Sequence, residues 1–198
     1  MTRIFLASQS PRRQELLNLL GLDFIVHGSR ISEEGFDLLT EDGLVALAGA
    51  KADDVIRRLG LDSGLVIAAD TVVILNGEVI GKPGNRDDAF DILKRLSGTT
   101  HEVRTGLVVK DTADQRTLTH VETTRVTFHE LGDDDIDWYL ETGDYKDKAG
   151  AYGIQGIGGL LVDSIEGDYY NVVGLPMARL RRMLRDMDDP DKNSHIVK

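Results

Sequence analysis

The stretch "GLVIAADTVVILNGEVIGKPG", residues 64–84, decides the predicted fold. Its apolar run 65–75 predicts a buried strand, and the Asn-Gly pair at 76–77 predicts a tight β-hairpin. Working outward, the patterns predict strands at 3–7, 23–27, 101–110, 118–128 and 160–165 and helices at 11–20, 42–59, 87–96, 133–141 and 176–187. Local hairpins mixed with helical crossovers predict an α/β fold, with a mixed twisted sheet, flanking helices and two lobes around a cleft.

The hairpin also brings polar residues towards one end of an apolar strand. A two-residue loop pairs Leu75 with Glu78, which would place Thr71 opposite Lys82 with Asp70 beside it. The glycine and proline around Lys82 should fray the ladder there. Because a buried carboxylate is costly unless it is paired, hydrogen-bonded or bound to a metal, Asp70 is either half of a buried salt bridge or part of a site.

Composition and length favour a cytoplasmic globular protein. The chain has 198 residues, of which 41% are hydrophobic and 29% charged, and no cysteine, so disulfides and cysteine-ligated zinc are excluded. We expect no membrane span, since no apolar run approaches about 20 residues. We expect no signal peptide, since the N-terminal "MTRIFLASQS" lacks the longer apolar core and the small-residue cleavage site of one. We predict one domain over residues 1–187 and a disordered tail at 188–198, where little can be buried.

The net charge of −11, from 34 acidic against 23 basic residues, limits the classes of partner. A field of that sign repels nucleic acid and anionic membranes, so neither is expected as a partner. It would also repel a small phosphorylated ligand unless cations were concentrated locally.

Two cations stand where a helix already carries positive partial charge. In "SQSPRRQELL", residues 8–17, Ser10 is placed to cap the helix, yet Arg12 and Arg13 occupy the first turn. They are either a solvated pair or, with the free N–H groups of the turn, a site for a phosphate chain. Ser8 and Ser10, which flank the turn, favour the second interpretation.

Two further residues allow both a plain and a functional interpretation. Lys51 falls on the apolar stripe of helix 42–59. Either its stem covers apolar surface while its amine reaches water, or its amine is part of a functional site. Gln155 lies in the glycine-rich "KDKAGAYGIQGIGG", residues 146–159, which is not a Walker A loop. Its amide can pair with N3–H and O4 of uracil or thymine, or it is an ordinary surface glutamine.

Together these stretches resemble the Maf family of septum-formation inhibitor-like nucleotide pyrophosphatases. "LASQSPRRQELL", "AADTVV", "GKP", "HEVRTG", "DKAGAYGIQGIGG" and "NVVGLP" follow that family's motifs in order, from Ile4 to about Leu184. The resemblance implies an ITPase-like fold and hydrolysis of nucleoside triphosphates between the α and β phosphates, with a divalent metal such as Mg²⁺ or Mn²⁺. It implies the branch of the family that acts on dTTP and UTP, modified pyrimidine nucleotides included. It also implies a house-cleaning role in the nucleotide pool that extends to restraint of cell division, and it allows a homodimer.

The resemblance also implies a role for individual residues. The implied general base is Asp70, and the implied metal site consists of Glu33 and Asp70. The resemblance implies that the substrate phosphates are bound by Ser8, Arg13, Lys51, Lys82 and Lys148. It implies that the choice of substrate depends on Arg12, Thr71 and Gln155. One departure is Asp144-Tyr145, which replaces the family's more usual Glu-Pro and affects the shape of that loop.

Two other functions remain open from the sequence. The chain could be a nucleotide-binding regulator of septum formation without turnover, which release of pyrophosphate would exclude. It could also be a pyrophosphatase for non-standard purine or 7-methylated nucleotides, which competing substrates would reveal.

Overall fold

The computed structural model describes residues 2–188, which form a mixed α/β fold. The strands are β1 (Ile4–Leu6), β2 (Phe24–Val26), β3 (Leu65–Leu75), β4 (Glu78–Ile80), β5 (Thr100–Asp111), β6 (Thr117–Phe128) and β7 (Val162–Glu166). The helices are α1 (Pro11–Asn18), α2 (Glu41–Leu59), α3 (Arg86–Leu96), α4 (Asp133–Glu141), α5 (Tyr169–Val173) and α6 (Met177–Met187). The strands form one sheet in the order β2-β1-β3-β5-β6-β7, with β4 paired to β3. The predicted mixed sheet with flanking helices is confirmed.

The described chain divides into two compact units. The first comprises residues 2–70, 105–122 and 174–188, and the second comprises 71–104 and 123–173. Strands β3, β5 and β6 each contribute residues to both units. The single domain over residues 1–187 stays a prediction, and the predicted tail 188–198 lies outside the described residues except for Asp188.

The first unit is built on three parallel strands. Ile4 of β1 faces Phe24 of β2 on one side and Leu65 of β3 on the other. Helix α2 covers these strands, and its Ala52 and Val55 join a buried cluster with apolar residues of β1 and β3. Because parallel strands end at a common edge, the segments that follow β1 and β2 lie at the same edge as residues 68–70 of β3.

The helix boundaries differ from the prediction at α1. This helix ends at Asn18, two residues early, and the Ser10 side chain makes no capping hydrogen bond. By contrast, the Thr40 hydroxyl accepts from the Gly43 N–H at 3.1 Å and caps α2. Gly60, with φ of 58°, ends α2 in the left-handed conformation that glycine tolerates best.

The second unit contains the predicted hairpin. Leu75 pairs with Glu78, which confirms the two-residue Asn-Gly turn. The antiparallel ladder stops at Val73 and Ile80, so Thr71 and Lys82 are not ladder partners. The regular pairing therefore ends before the glycine and proline that were expected to disrupt it.

Three short elements of the second unit were not predicted from the sequence. The glycine-rich segment forms two 3-10 turns, Ala149–Ala151 and Gly156–Leu161, before β7. Helix α5 has five residues, which is too short for a helical period to be recognised.

Among residues 2–188, no helix has the length and apolar character needed to cross a membrane.

Candidate active site

An ion pair between Lys51 and Asp70 forms the centre of the candidate site in the first unit. Asp70 lies within β3 with its side chain only 7% exposed, and the Lys51 ammonium donates a hydrogen bond to its Oδ1. Lys51 is 14% exposed, so its side chain turns inwards along α2. The expectation that Lys51 only covers apolar surface and reaches water is therefore wrong, because the buried carboxylate attracts the ammonium.

A second carboxylate approaches the same ammonium. Glu33 lies in the segment between β2 and α2, and its Oε1 is 4.0 Å from Lys51 Nζ. Its side chain is 55% exposed, in contrast to that of Asp70. A single cation thus lies within ion-pair distance of one buried and one solvent-exposed carboxylate.

The turn after β1 holds Ser8 and Arg13 together. The buried Ser8 hydroxyl accepts from the Ser10 backbone N–H and from Arg13 Nη1, both at 3.2 Å. Arg13 Nε donates to the Gly174 carbonyl at 2.8 Å. These bonds fix the plane of the guanidinium, so Arg13 is held in place before any ligand arrives.

The charges around Arg13 act in both directions. Burial lowers the pKa of the Arg13 guanidinium, the negative charge of Asp70 raises it, and the positive charge of Arg12 lowers it again. Glu33 adds a smaller upward effect on the pKa. Two arginines and Lys51 at one sheet edge give this acidic chain the local concentration of cations that an anionic ligand requires.

The second unit contains the remaining predicted residues. Thr71 is partly buried in β3, Lys82 is exposed just after β4, and Lys148 and Gln155 lie in the glycine-rich segment. The Gly150 N–H donates to the Gly81 carbonyl at 3.1 Å, which brings that segment to the residue before Lys82.

Lys148 is held by the residue that departs from the family pattern. Its Nζ lies 3.1 Å from Asp144 Oδ1, and the Tyr139 hydroxyl donates to Asp144 Oδ2 at 3.3 Å. The Lys148 stem crosses Gly153, where a Cβ would lie 2.6 Å from Lys148 Cε. Asp144 therefore shapes the loop by binding both Lys148 and Tyr139, and Gly153 gives the lysine stem its room.

The first unit thus brings together Ser8, Arg12, Arg13, Glu33, Lys51 and Asp70, and the second unit separately positions Thr71, Lys82, Lys148 and Gln155. Sequence reasoning missed the Gly174 carbonyl, and it noted Asp144 only for the shape of the loop and not as the partner of Lys148. A main-chain carbonyl leaves no signal in a sequence. Asp144 had one, since its position four residues before Lys148 was visible and its acid side chain can bind an ammonium.

The two carboxylates of the first unit fit a hard divalent cation. Within residues 2–188, no cluster of three or more histidine or acidic residues could hold a metal ion. Mg²⁺ is typically bound by one or two carboxylates together with substrate phosphates and water, and Glu33 and Asp70 face one ammonium with oxygen donors only.

The chain is similar to known proteins along nearly its whole length. The family model described as Maf-like protein matches residues 3–187. A dTTP/UTP pyrophosphatase of Acetivibrio thermocellus is 50% identical over 192 residues, covering 94% of this chain and 96% of that protein. A dTTP/UTP pyrophosphatase of Pyrococcus furiosus is 45% identical over 185 residues, covering 93% of this chain and 95% of that protein.

Structural similarity to solved proteins is weaker. A nucleoside-triphosphatase / dITP/XTP pyrophosphatase of Mycobacterium abscessus is 15% identical, covers 96% of this chain and 100% of its own, and has a TM-score of 0.48. The assignment therefore depends on the family model and on the sequence relatives, which span nearly the whole chain. The chain belongs to the Maf family.

Proposed function

We propose that this protein is a nucleoside triphosphate pyrophosphatase that hydrolyses dTTP and UTP to the monophosphate and pyrophosphate. The observation that carries the proposal is the buried Lys51–Asp70 pair beside Arg13 and Glu33. Relatives at 44–50% identity that carry the name dTTP/UTP pyrophosphatase support the choice of reaction and substrate.

Asp70 would act as the proton acceptor for the attacking water. Its Oδ1 is bonded to Lys51, which leaves Oδ2 to take the proton as the water oxygen attacks the α-phosphorus. In the structure, Lys51 compensates the charge of the Asp70 carboxylate. During the reaction, it would stabilise the negative charge that moves to the departing pyrophosphate. The bond between the α-phosphorus and the bridging oxygen breaks, and pyrophosphate leaves with that oxygen.

Phosphate binding would fall to the cations and hydroxyl of the first turn. Arg13 is already oriented by the Gly174 carbonyl, and a guanidinium is a side chain suited to binding phosphate oxygens. The Ser8 oxygen accepts hydrogen bonds from two N–H groups, so its O–H can donate a hydrogen bond to an anion. Lys82 and Lys148 are proposed as further phosphate ligands.

A divalent cation would be held by Glu33 and Asp70, and substrate phosphates would complete its set of ligands. When bound, it would neutralise phosphate charge and polarise the α-phosphorus. Glu33 is the more exposed of the two carboxylates and can reorient, whereas Asp70 is fixed by β3 and Lys51.

We also propose a cytoplasmic location and a role in clearing nucleotides from the cellular pool. A homodimer and a link to septum formation stay predictions. The partner that the proposal requires is the nucleoside triphosphate itself.

The test is a panel of nucleotides with separate detection of phosphate and pyrophosphate. We expect metal-dependent release of pyrophosphate from dTTP and UTP, and Asp70→Asn should lower kcat by at least about 10², the usual loss for a general base. Thermal unfolding and dTTP binding of Asp70→Asn serve as controls for folding and binding.

Three results would contradict the proposal. Nucleotide binding without pyrophosphate would favour a regulator of septum formation. Preferred turnover of ITP or of 7-methyl-GTP would favour the other pyrophosphatase activities. Turnover by Asp70→Asn at the wild-type rate would refute the role of Asp70.

Base selection is proposed to depend on Arg12, Thr71 and Gln155. The Gln155 amide can accept from N3–H and donate to O4 of uracil or thymine, whereas cytosine reverses both groups. Because an unmatched buried polar pair costs about 1–3 kcal/mol, CTP should be cleaved roughly tenfold to over a hundredfold less efficiently than dTTP and UTP. A carboxylate cannot donate to O4, so Gln155→Glu should lower kcat/KM for dTTP, and unchanged selectivity among dTTP, CTP and 7-methyl-GTP would exclude this role.

A further inference from the structure

A buried carboxylate outside the reaction connects helix α2 to the segment that carries Glu33. Asp54 is 6% exposed and follows Lys51 by one helical turn. Its Oδ2 accepts from the backbone N–H of Arg30 and from Arg58 Nε, both at 3.0 Å. Arg58 Nη2 in turn donates to the Gly28 carbonyl at 2.6 Å. Two adjacent turns of α2 therefore bind the segment that follows β2 at two main-chain positions.

The bonding of Asp54 leaves it unsuited to chemistry. The hydrogen bond from the Arg30 N–H, aided by Arg58 and Ser29 and opposed by burial, holds the pKa of Asp54 below its ordinary value. Arg57 Nη2 lies a further 3.7 Å from Oδ1. A carboxylate surrounded by donors in this way is a weak base and a poor metal ligand, so a structural or positioning use remains.

The segment held by Asp54 has no regular structure of its own. Residues 27–32 are in neither helix nor strand. Short side-chain bonds shape it locally, with the Ser29 and Ser32 hydroxyls accepting from the backbone N–H groups two residues ahead at 3.1 and 3.2 Å. Gly28 lies so close to Gln9 that a Cβ would be 2.1 Å from Gln9 Cγ. The location of this segment therefore depends on α2 on one side and the turn after β1 on the other.

We propose that Asp54 is a positioning residue that holds Glu33 opposite Lys51 for the binding of a divalent cation. The same helix presents Lys51 to Glu33 at 4.0 Å and, three residues later, fastens the segment in which Glu33 lies. The inference rests on the proposed function in one respect, that Glu33 binds the cation.

The experiment measures binding of Mn²⁺ alone to the full chain by electron paramagnetic resonance, without nucleotide. Asp54→Ala should weaken Mn²⁺ binding by about tenfold, the usual scale for residues that orient metal ligands. Asp53→Ala is the matched control, because Asp53 is the neighbouring residue on α2 and its exposed carboxylate pairs with Lys110. The control should bind Mn²⁺ as the wild type does.

A double-mutant cycle separates positioning from a general loss of structure. If Asp54 acts through Glu33, adding Asp54→Ala to Glu33→Gln should weaken Mn²⁺ binding no further. Equal binding by Asp54→Ala and the wild type, additive losses in the cycle, or wild-type binding by Glu33→Gln would each overturn the proposal.

Two further measurements keep the test independent of folding and of the proposed function. Near-ultraviolet circular dichroism checks the fold of each variant. Arg58→Gln removes the hydrogen bond to the Gly28 carbonyl and keeps the Asp54 carboxylate, so we expect a smaller loss of Mn²⁺ affinity than for Asp54→Ala. Mn²⁺ binding needs no turnover, so absence of pyrophosphate release would refute the enzyme while the cycle still decides the role of Asp54. In an active enzyme, Asp54→Ala should raise the half-saturating Mn²⁺ concentration by the same factor and leave kcat at saturating Mn²⁺ within about twofold.

Discussion

At the scale of single residues, the Lys51–Asp70 pair couples stability to the proposed chemistry. Both side chains are largely withdrawn from water, at 14% and 7% exposure. Each charge offsets the cost of burying the other, and removal of one partner leaves the other uncompensated. The residues that would hydrolyse substrate therefore also contribute to the free energy of unfolding.

Lys51→Met should lower the free energy of unfolding by about 3 kcal/mol, because it removes the cation that is hydrogen-bonded to the buried Asp70 carboxylate. Adding Asp70→Asn should recover part of that loss. Urea unfolding of the two single variants and the double variant measures the effect, with Lys110→Met as the control, since Lys110 pairs with a more exposed carboxylate. Equal destabilisation by Lys51→Met and Lys110→Met would show that the buried pair has no special energetic role.

At the scale of elements, the strands and helices with strong local signals could be predicted from the sequence. The Asn-Gly turn at 76–77 fixed the hairpin register, and α4 has the predicted bounds Asp133–Glu141. The end of α1 and the five-residue α5 could not be predicted, since both depend on packing rather than on a repeated apolar spacing.

The candidate site was predictable in part for the same reason. Asp70 stands out as a charge in an apolar strand, and Lys51 as a charge on an apolar helix face. Their pairing spans 19 residues and depends on how α2 packs on β3, which neither pattern contains. Ser8 binds the turn in place of the expected Ser10 cap, because its buried hydroxyl faces the N–H of residue 10.

At the scale of the whole molecule, acid should destabilise the fold through a histidine. His101 is 1% exposed, and its Nε2 lies 2.8 Å from the Tyr152 hydroxyl. Burial lowers the pKa of His101 from 6.5 to about 4. Between those values the unfolded chain binds a proton at this residue and the folded chain does not, so stability falls as the pH falls from 6.5 towards 4.

The free energy of unfolding should therefore drop by about 3 kcal/mol between pH 7 and pH 4 on account of His101. His101→Gln keeps a polar partner for Tyr152 and should show a flatter dependence on pH. Urea midpoints at pH 7, 5.5 and 4 measure it, and His120→Gln, a partly exposed histidine beside Glu122, is the control. Parallel pH curves for the wild type and His101→Gln would refute the prediction.

The path of the chain through its two units limits how genes for such proteins can recombine. The chain passes between units at 70/71, 104/105, 122/123 and 173/174, and the first three passages fall inside β3, β5 and β6. Recombination between relatives at any of those points would join half a strand from one parent to half from another. Neither unit is a continuous gene segment that could be exchanged as a block. New substrate preferences in such a chain are therefore expected to arise by point substitutions in place, with each intermediate keeping all three strands intact.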